Sequence, residues 1–395
     1  MAGALNGVRV LDFTQMMAGP LCPALLGDFG ADVIKVEPPA GDAMRHTGEV
    51  RLGGESDYFL SVNRNKRSVV LDLKSAEGQR AAQALAATAD VVIENFRPGT
   101  VGRFGLAYED VRRENPDVIY CSITGFDPDG PDRDRPALDP VMQALSGLMS
   151  LTGDANSGPL CTGMPISDFV TPVIATVGVL AALYNRAATG KGQKVELSML
   201  NASVFATMPR EGHYFATGQE NELLGNRHFQ LVPYNAYETS DGRSIMVIAH
   251  NNKFWHALLK GMDMAALEND PRFTNNADRV ANRDALEDML SARFHEDDFD
   301  TWIERLTAAD AIFAPVRGLA DVFNDPYIAK TMVAKMAHPK AGDISVLANP
   351  IKFSATPAAV ELAPPVLGEH TDDVLAGLDG PGGGSPWRAG EGPEG

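Results

Sequence analysis

The sequence predicts an α/β protein: a doubly wound, Rossmann-like large domain with a smaller α+β domain. Three observations carry the prediction. Short apolar runs alternate with helical patterns from Val8 to Ile123, the order that builds a parallel sheet from βαβ units. The 395 residues exceed what one ordinary core absorbs and suit two. From Gly225 the pattern changes, with two alternating runs flanking Ser240-Asp241-Gly242-Arg243, a hairpin signal.

The elements follow in order. Residues 8–13 form a short apolar strand. Ala18-Gly19-Pro20 turns the chain, residues 21–29 wind as a helix, and Gly30 ends it. Residues 33–37 are the next strand, closed by Pro38-Pro39, which completes a βαβ unit. Strand 68–73, helix 76–89, strand 90–94, helix 108–114 and strand 118–123 continue the alternation. No G-x-G-x-x-G follows the first strand, so a dinucleotide fingerprint is absent. Residues 125–136, rich in Gly, Pro and Asp, read as loop. Helical patterns cover 140–151 and 172–187, and Gly190-Lys191-Gly192-Gln193 turns into a strand at 194–198. The expected organisation is a large domain over 1–200 completed by 330–378, and a small domain over 225–325. Crossovers fall at 201–224 and 326–350, and a flexible tail rich in Pro and Gly at 379–395.

Composition narrows the function. Hydrophobic residues make up 44% and charged residues 22%, the profile of a soluble globular protein. A formal net charge of -18 argues against nucleic acid or an anionic membrane as partner, since both need a basic face. An anionic ligand would need a local cluster of Lys and Arg. The three cysteines, Cys22, Cys121 and Cys161, match no zinc or redox spacing. Their odd number argues against a disulfide framework and suits a reducing cytoplasm. Residues 1–7 lack the basic and apolar segments of a signal peptide. The longest nearly apolar run, 172–184, is too short to span a bilayer. His46, His213, His228 and His250 are scattered, without the spacing of a metal site.

The candidate catalytic residue is Asp168, in Gly163-Met164-Pro165-Ile166-Ser167-Asp168-Phe169, just before the apolar helix pattern. The free N–H groups and dipole of a helix start stabilise a carboxylate, so locally this reads as an N-cap Asp. The rest of the chain sharpens that reading. Val10-Leu11-Asp12-Phe13 with Ala18-Gly19-Pro20, Gly30-Ala31-Asp32-Val33-Ile34-Lys35-Val36-Glu37-Pro38, Asn63-Arg64-Asn65-Lys66-Arg67-Ser68, Glu94-Asn95-Phe96-Arg97-Pro98-Gly99, Gln143-Ala144-Leu145-Ser146-Gly147, Thr189-Gly190-Lys191-Gly192-Gln193 and Leu367-Gly368-Glu369-His370-Thr371 occur in this order. Together they resemble the class III CoA-transferases, the formyl-CoA transferase and carnitine-CoA transferase-like family.

The resemblance implies that Asp168 is a nucleophile that forms acyl-aspartyl anhydride and aspartyl-CoA thioester intermediates. CoA moves from an acyl-CoA to a free carboxylic acid, with no metal and no tightly bound cofactor. Its implied CoA contacts are Met17 and Ala18 near the thioester, Leu71, Lys74, Asn95, Phe96, Arg97, Arg103 and Asp139. It also implies an interlocked homodimer. Arg45 and Arg227 are candidates to clamp a second carboxylate of the acceptor. Three positions depart from relatives within the family. Met17 replaces the Gln of the formyl-CoA enzyme, which argues against formyl or oxalate specificity. Leu138 and Asn251 replace the His and Glu of the α-methylacyl-CoA racemases, and neither moves protons. An acyl-CoA isomerase and a CoA-binding protein without turnover are the alternatives to a transferase.

Overall fold

The structure, a computed structural model, describes residues 2–378; the expected flexible tail at 379–395 lies outside the described residues. The chain divides into two compact units. Among the described residues, one comprises 2–149, Cys161–Gly212 and 327–378; the other comprises Ser150–Leu160 and His213–Pro326.

The first unit is built on β1 (Arg9–Asp12), β2 (Asp32–Glu37), β3 (Lys66–Val70), β4 (Val91–Glu94), β5 (Ile119–Thr124) and β6 (Gln193–Ser198). They form one sheet in the order β6-β5-β4-β1-β2-β3, with every pair parallel. The order reverses between β1 and β4, so the loops after these strands diverge and leave a crevice at their carboxyl ends. Around the sheet lie α1 (Leu21–Asp28), α2 (Ala76–Thr88), α3 (Tyr108–Glu114), α4 (Asp139–Leu145), α5 (Ile166–Thr189) and α6 (Met199–Phe205).

Alternation along the strands sends side chains to two cores. Val10, Val33, Val91, Ile93, Ile119 and Cys121 pack with Cys22 and Leu26 of α1 and with Ala175, Val179 and Ala182 of α5. Leu11, Ile34, Val36, Val92 and Tyr120 pack with Ala82, Leu85 and Ala86 of α2, Val111 of α3 and Val374. Each such aliphatic side chain contributes about 1.5–3 kcal/mol by burial.

The helix α5 begins earlier than its apolar pattern, and Pro172 lies inside it instead of at its start. Its 24 residues, with mean hydropathy 1.9 over the most apolar window, are long and apolar enough to cross a membrane by length and composition alone. That length runs along the sheet: Ala175, Val179 and Ala182 are buried there, and Arg186 pairs with buried Asp90 at 3.0 Å.

A layer of buried charge joins the strands to the loops that follow them. Lys66 Nζ donates to Asp12 at 2.8 Å, to Asn63 at 2.9 Å and to the Pro20 carbonyl at 2.8 Å. Lys35 Nζ donates to Asp42 at 2.9 Å and to the Thr14 carbonyl at 2.7 Å. Burial pushes the Lys66 ammonium down to about 8 against the pull of Asp12. This layer explains why β3 starts at charged Lys66, ahead of the apolar run at 68–73. It also claims Arg45, an expected substrate clamp. Arg45 is buried, donates to Glu37 at 2.7 Å and to Glu55 at 3.2 Å, and stacks 3.6 Å above Phe59. Burial raises the Glu37 carboxyl, but Arg45 and Lys35 outweigh it and hold it at about 2. A guanidinium so engaged is not free for a ligand.

The second unit carries strands Tyr234–Glu238, Ser244–Ile248 and Ile312–Pro315 as an antiparallel sheet. The first two meet across the turn read from the sequence, where Gly242 supplies a φ of 77°. Trp255, Leu259, Leu286, Leu290, Phe294 and Trp302 fill its core from helices Asn252–Met262, Arg283–Phe294 and Phe299–Ala308. Arg227, the other expected clamp, faces Asp284 at 3.4 Å.

Candidate active site

A crevice of about 580 Å³ opens at the carboxyl ends of β1, β4 and β5, where the strand order places a ligand site. It brings together Met17 and Ala18 from the loop after β1, Asn95, Phe96 and Arg97 from the loop after β4, and Asp168 from α5. Arg133, Arg135 and Leu138 line it as well. The other expected contacts do not line it. Leu71 is buried in the sheet core, and Lys74 and Arg103 are exposed. Phe96, Arg97 and Arg133 also border an adjoining hollow of about 370 Å³.

The loop after β1 is locked by side chains from other strands. Asn95 accepts from the Gln15 N–H and donates to the Gln15 carbonyl, each at 2.8 Å, so its carbonyl oxygen holds the loop and not a ligand. Asp42 accepts from the N–H of Met16 at 3.1 Å and of Met44 at 3.0 Å. Met16 adopts a φ of 65°, a conformation that a non-glycine residue holds only where its surroundings fix it. The loop after β4 is held by Glu94, which accepts from the Phe96 N–H at 2.9 Å and from the Ser122 hydroxyl. Burial pushes the Glu94 carboxyl up.

Asp168 lies in the first turn of α5, with Pro165 at the N-cap, so the N-cap reading of Asp168 does not hold. The capping carboxylate comes from Asp139 instead. Its Oδ1 accepts from the N–H of Ser167 at 2.7 Å and of Asp168 at 3.2 Å. Its Oδ2 accepts from the Gln143 amide at 2.6 Å. Asp139, an expected CoA contact, is buried, and both of its carboxylate oxygens accept hydrogen bonds from the protein. Gln143 in turn accepts from the Thr162 N–H at 2.9 Å, and Ser167 and Ser203 share a hydroxyl bond of 2.8 Å. Among the described residues no group donates a hydrogen bond to the Asp168 carboxylate. Burial, and then the charge of Asp139, push it up to about 6. An unpaired carboxylate on a fixed turn can attack a carbonyl.

The ionised form is the nucleophile, so the sign of the pH effect is fixed. We expect kcat/KM for the donor to fall roughly tenfold per pH unit below about pH 6 and to be flat above it. An initial-rate profile from pH 4.5 to 8.5 checks this; a rate still flat at pH 5 contradicts it.

The racemase positions hold no proton carrier. Leu138 lines the crevice and is 63% exposed. Asn251 caps the helix Asn252–Met262, its side-chain oxygen accepting from the Phe254 N–H at 3.1 Å. Among the described residues no cluster of three or more His, Cys, Asp or Glu gathers to hold a metal. Arg133 and Arg135 carry no signal of a role in the sequence, and Lys35 and Gln143 stand in the family-like runs, and Asp42 just after one, without an assigned role. For Lys35 a signal existed, because a charge between Ile34 and Val36 in a buried strand implies an ion pair.

The sequence pattern of CoA-transferase family III matches residues 5–371. The chain is 37% identical over 373 residues to the succinyl-CoA:glutarate CoA-transferase of Mus musculus, covering 94% of this chain and 85% of that protein. It is 37% identical over 389 residues to the succinyl-CoA:mesaconate CoA-transferase of Haloarcula marismortui, covering 95% and 97%. A solved structure of a CAIB/BAIF family protein from Brucella suis superposes with a TM-score of 0.87 at 34% identity, over 96% of this chain and 100% of that one.

Proposed function

The chain belongs to CoA-transferase family III, and from that membership we propose that it transfers CoA through Asp168 as covalent nucleophile. The observation that carries this reading is the unpaired Asp168 carboxylate in the crevice between the β1 and β4 loops. The carboxylate attacks the thioester carbonyl, the C–S bond breaks, and CoA thiolate leaves behind a mixed anhydride. The thiolate attacks the Asp168 carbonyl and expels the donor acid as its carboxylate, giving an aspartyl-CoA thioester. The acceptor carboxylate attacks that thioester, thiolate leaves again, and its return to the acceptor's carbonyl frees Asp168. Overall one thioester and one carboxylate are exchanged for another thioester and carboxylate of similar energy, so the transfer calls for no metal and no tightly bound cofactor. It requires exclusion of water from the anhydride and donors for each tetrahedral oxygen.

The names of the relatives favour succinyl-CoA as donor and a dicarboxylic acid as acceptor. Arg97, Arg133 and Arg135 give an acidic protein the local cations that a phosphorylated, carboxylated substrate pair needs. The test is intact-protein mass after mixing with succinyl-CoA, acetyl-CoA and other donors. An adduct of CoA or acyl mass supports the reading, and its absence with every donor contradicts it.

We read the sheet as doubly wound and Rossmann-like, and the working form as an interlocked homodimer in the cytoplasm. Exposed apolar side chains support the dimer: Phe205 at 59%, Met208 at 53% and Phe215 at 79%. Dilution in sedimentation experiments is expected to yield no folded, active monomer; recovery of one excludes interlocking.

A further inference from the structure

Among the described residues, Asp139 is the one carboxylate that touches the turn carrying the nucleophile. It sits 29 residues upstream of Asp168 in the chain and occupies two of the N–H groups that open α5. It is itself held by Gln143, which also anchors Thr162 in the segment that leads to Asp168. An uncapped helix start attracts a nearby carboxylate. With Asp139 on the Ser167 and Asp168 N–H groups, those two donors are closed to the Asp168 carboxylate, which lines the crevice.

We propose that Asp139 is a positioning residue: its carboxylate fixes the first turn of α5, and its charge favours the acylated, neutral state of Asp168 over the free carboxylate. The inference rests on the covalent reading above. Its electrostatic half follows from the states compared. Free Asp168 is an anion beside a second buried anion. The anhydride and the aspartyl-CoA thioester carry no charge at that carbonyl. The repulsion that raises proton affinity therefore raises the equilibrium share of covalent adduct by the same factor. Asp139 thus acts on both sides of the exchange, because it stabilises each neutral intermediate alike and selects for neither substrate.

The test is an equilibrium, which a loss of packing alone does not move in this way. Enzyme is mixed with succinyl-CoA and free succinate at fixed ratio and pH 8, and the aspartyl-CoA fraction is read by intact mass. Asp139→Asn keeps an oxygen for the two N–H groups and removes the charge. The adduct-to-free ratio is expected to fall severalfold, with about tenfold as the ceiling, because burial is the larger cause of the raised Asp168 value and Asp139 the smaller. Asp139→Asn opposes two amides at Gln143, so the double variant Asp139→Asn/Gln143→Glu is run beside it. There the carboxylate introduced at position 143 accepts both from the amide introduced at position 139 and from Thr162. Every hydrogen bond is retained, and the charge lies one link further away. The ratio of the double variant is expected between those of the wild type and the single variant, and it carries the test if the single variant does not fold. A ratio unchanged from wild type in the folded variants overturns the inference while leaving the covalent reading intact. A wild type that forms no adduct with succinyl-CoA, acetyl-CoA or any other donor of the panel overturns the covalent reading, and this inference with it.

Discussion

Asp168→Asn is expected to abolish the mass adduct and lower turnover by about 10³-fold or more, while making the protein more stable at neutral pH. The two effects share a cause. The carboxylate is partly buried beside Asp139 with no donor of its own, a placement that favours attack on a carbonyl and disfavours the ionised folded state. Its folded value of about 6 stands above the ordinary aspartate value of 3.8. Below the lower value both folded and unfolded chains hold the proton, and the carboxylate costs nothing. As pH rises through the interval the unfolded chain ionises first, and folding stability is lost until the folded value is passed. Above it the cost is constant, about 1–2 kcal/mol once partial exposure is allowed for. Urea unfolding of wild type and Asp168→Asn should therefore coincide near pH 3.5 and differ at pH 8, with the variant ahead. A variant that loses activity and stability together would place Asp168 in the structural framework instead of the reaction.

The parts of this molecule that were legible in the sequence are those set by local period. The helix Tyr108–Glu114 and the strands of the first βαβ unit follow from alternation and turn residues, because the physics that places them acts within a few residues. Asp168 itself emerged through resemblance and not from its local pattern, which pointed to a cap. The pattern misled because Pro172 reads as a helix boundary, whereas α5 absorbs it near its start, and because the actual cap comes from Asp139 in another helix. The same reason hid the lock on the loop after β1. Asp12 with Lys66 and Asn95 with Gln15 are pairs 54 and 80 residues apart, and no spacing rule connects them. Polar residues whose partners are remote are visible only as anomalies, such as a lysine inside an apolar strand.

That lock supports the second large effect. Lys35→Met is expected to cost about 3–5 kcal/mol, the range seen when one member of a buried ion pair is removed and the other left behind. Lys35 and Asp42 are both fully inaccessible and 2.9 Å apart. Burial pulls the ammonium down, but Asp12, Asp42 and Glu37 outweigh it and keep it charged. Methionine fills the volume and leaves Asp42 as a buried anion, with the Thr14 carbonyl also losing its donor. The melting temperature should fall by on the order of 10 °C in calorimetry. The damage should be partly reversible by Lys35→Met/Asp42→Asn. Asparagine strands no charge, and its oxygen still accepts from the N–H groups of Met16 and Met44 that Asp42 holds. Recovery of stability in the double variant without full recovery of the donor KM would separate two roles of the pair. One holds the sheet to its loops, and the other fixes the Met16 to Ala18 wall of the crevice. If Lys35→Met alone melts within a degree or two of wild type, the buried charge layer is not what holds that loop.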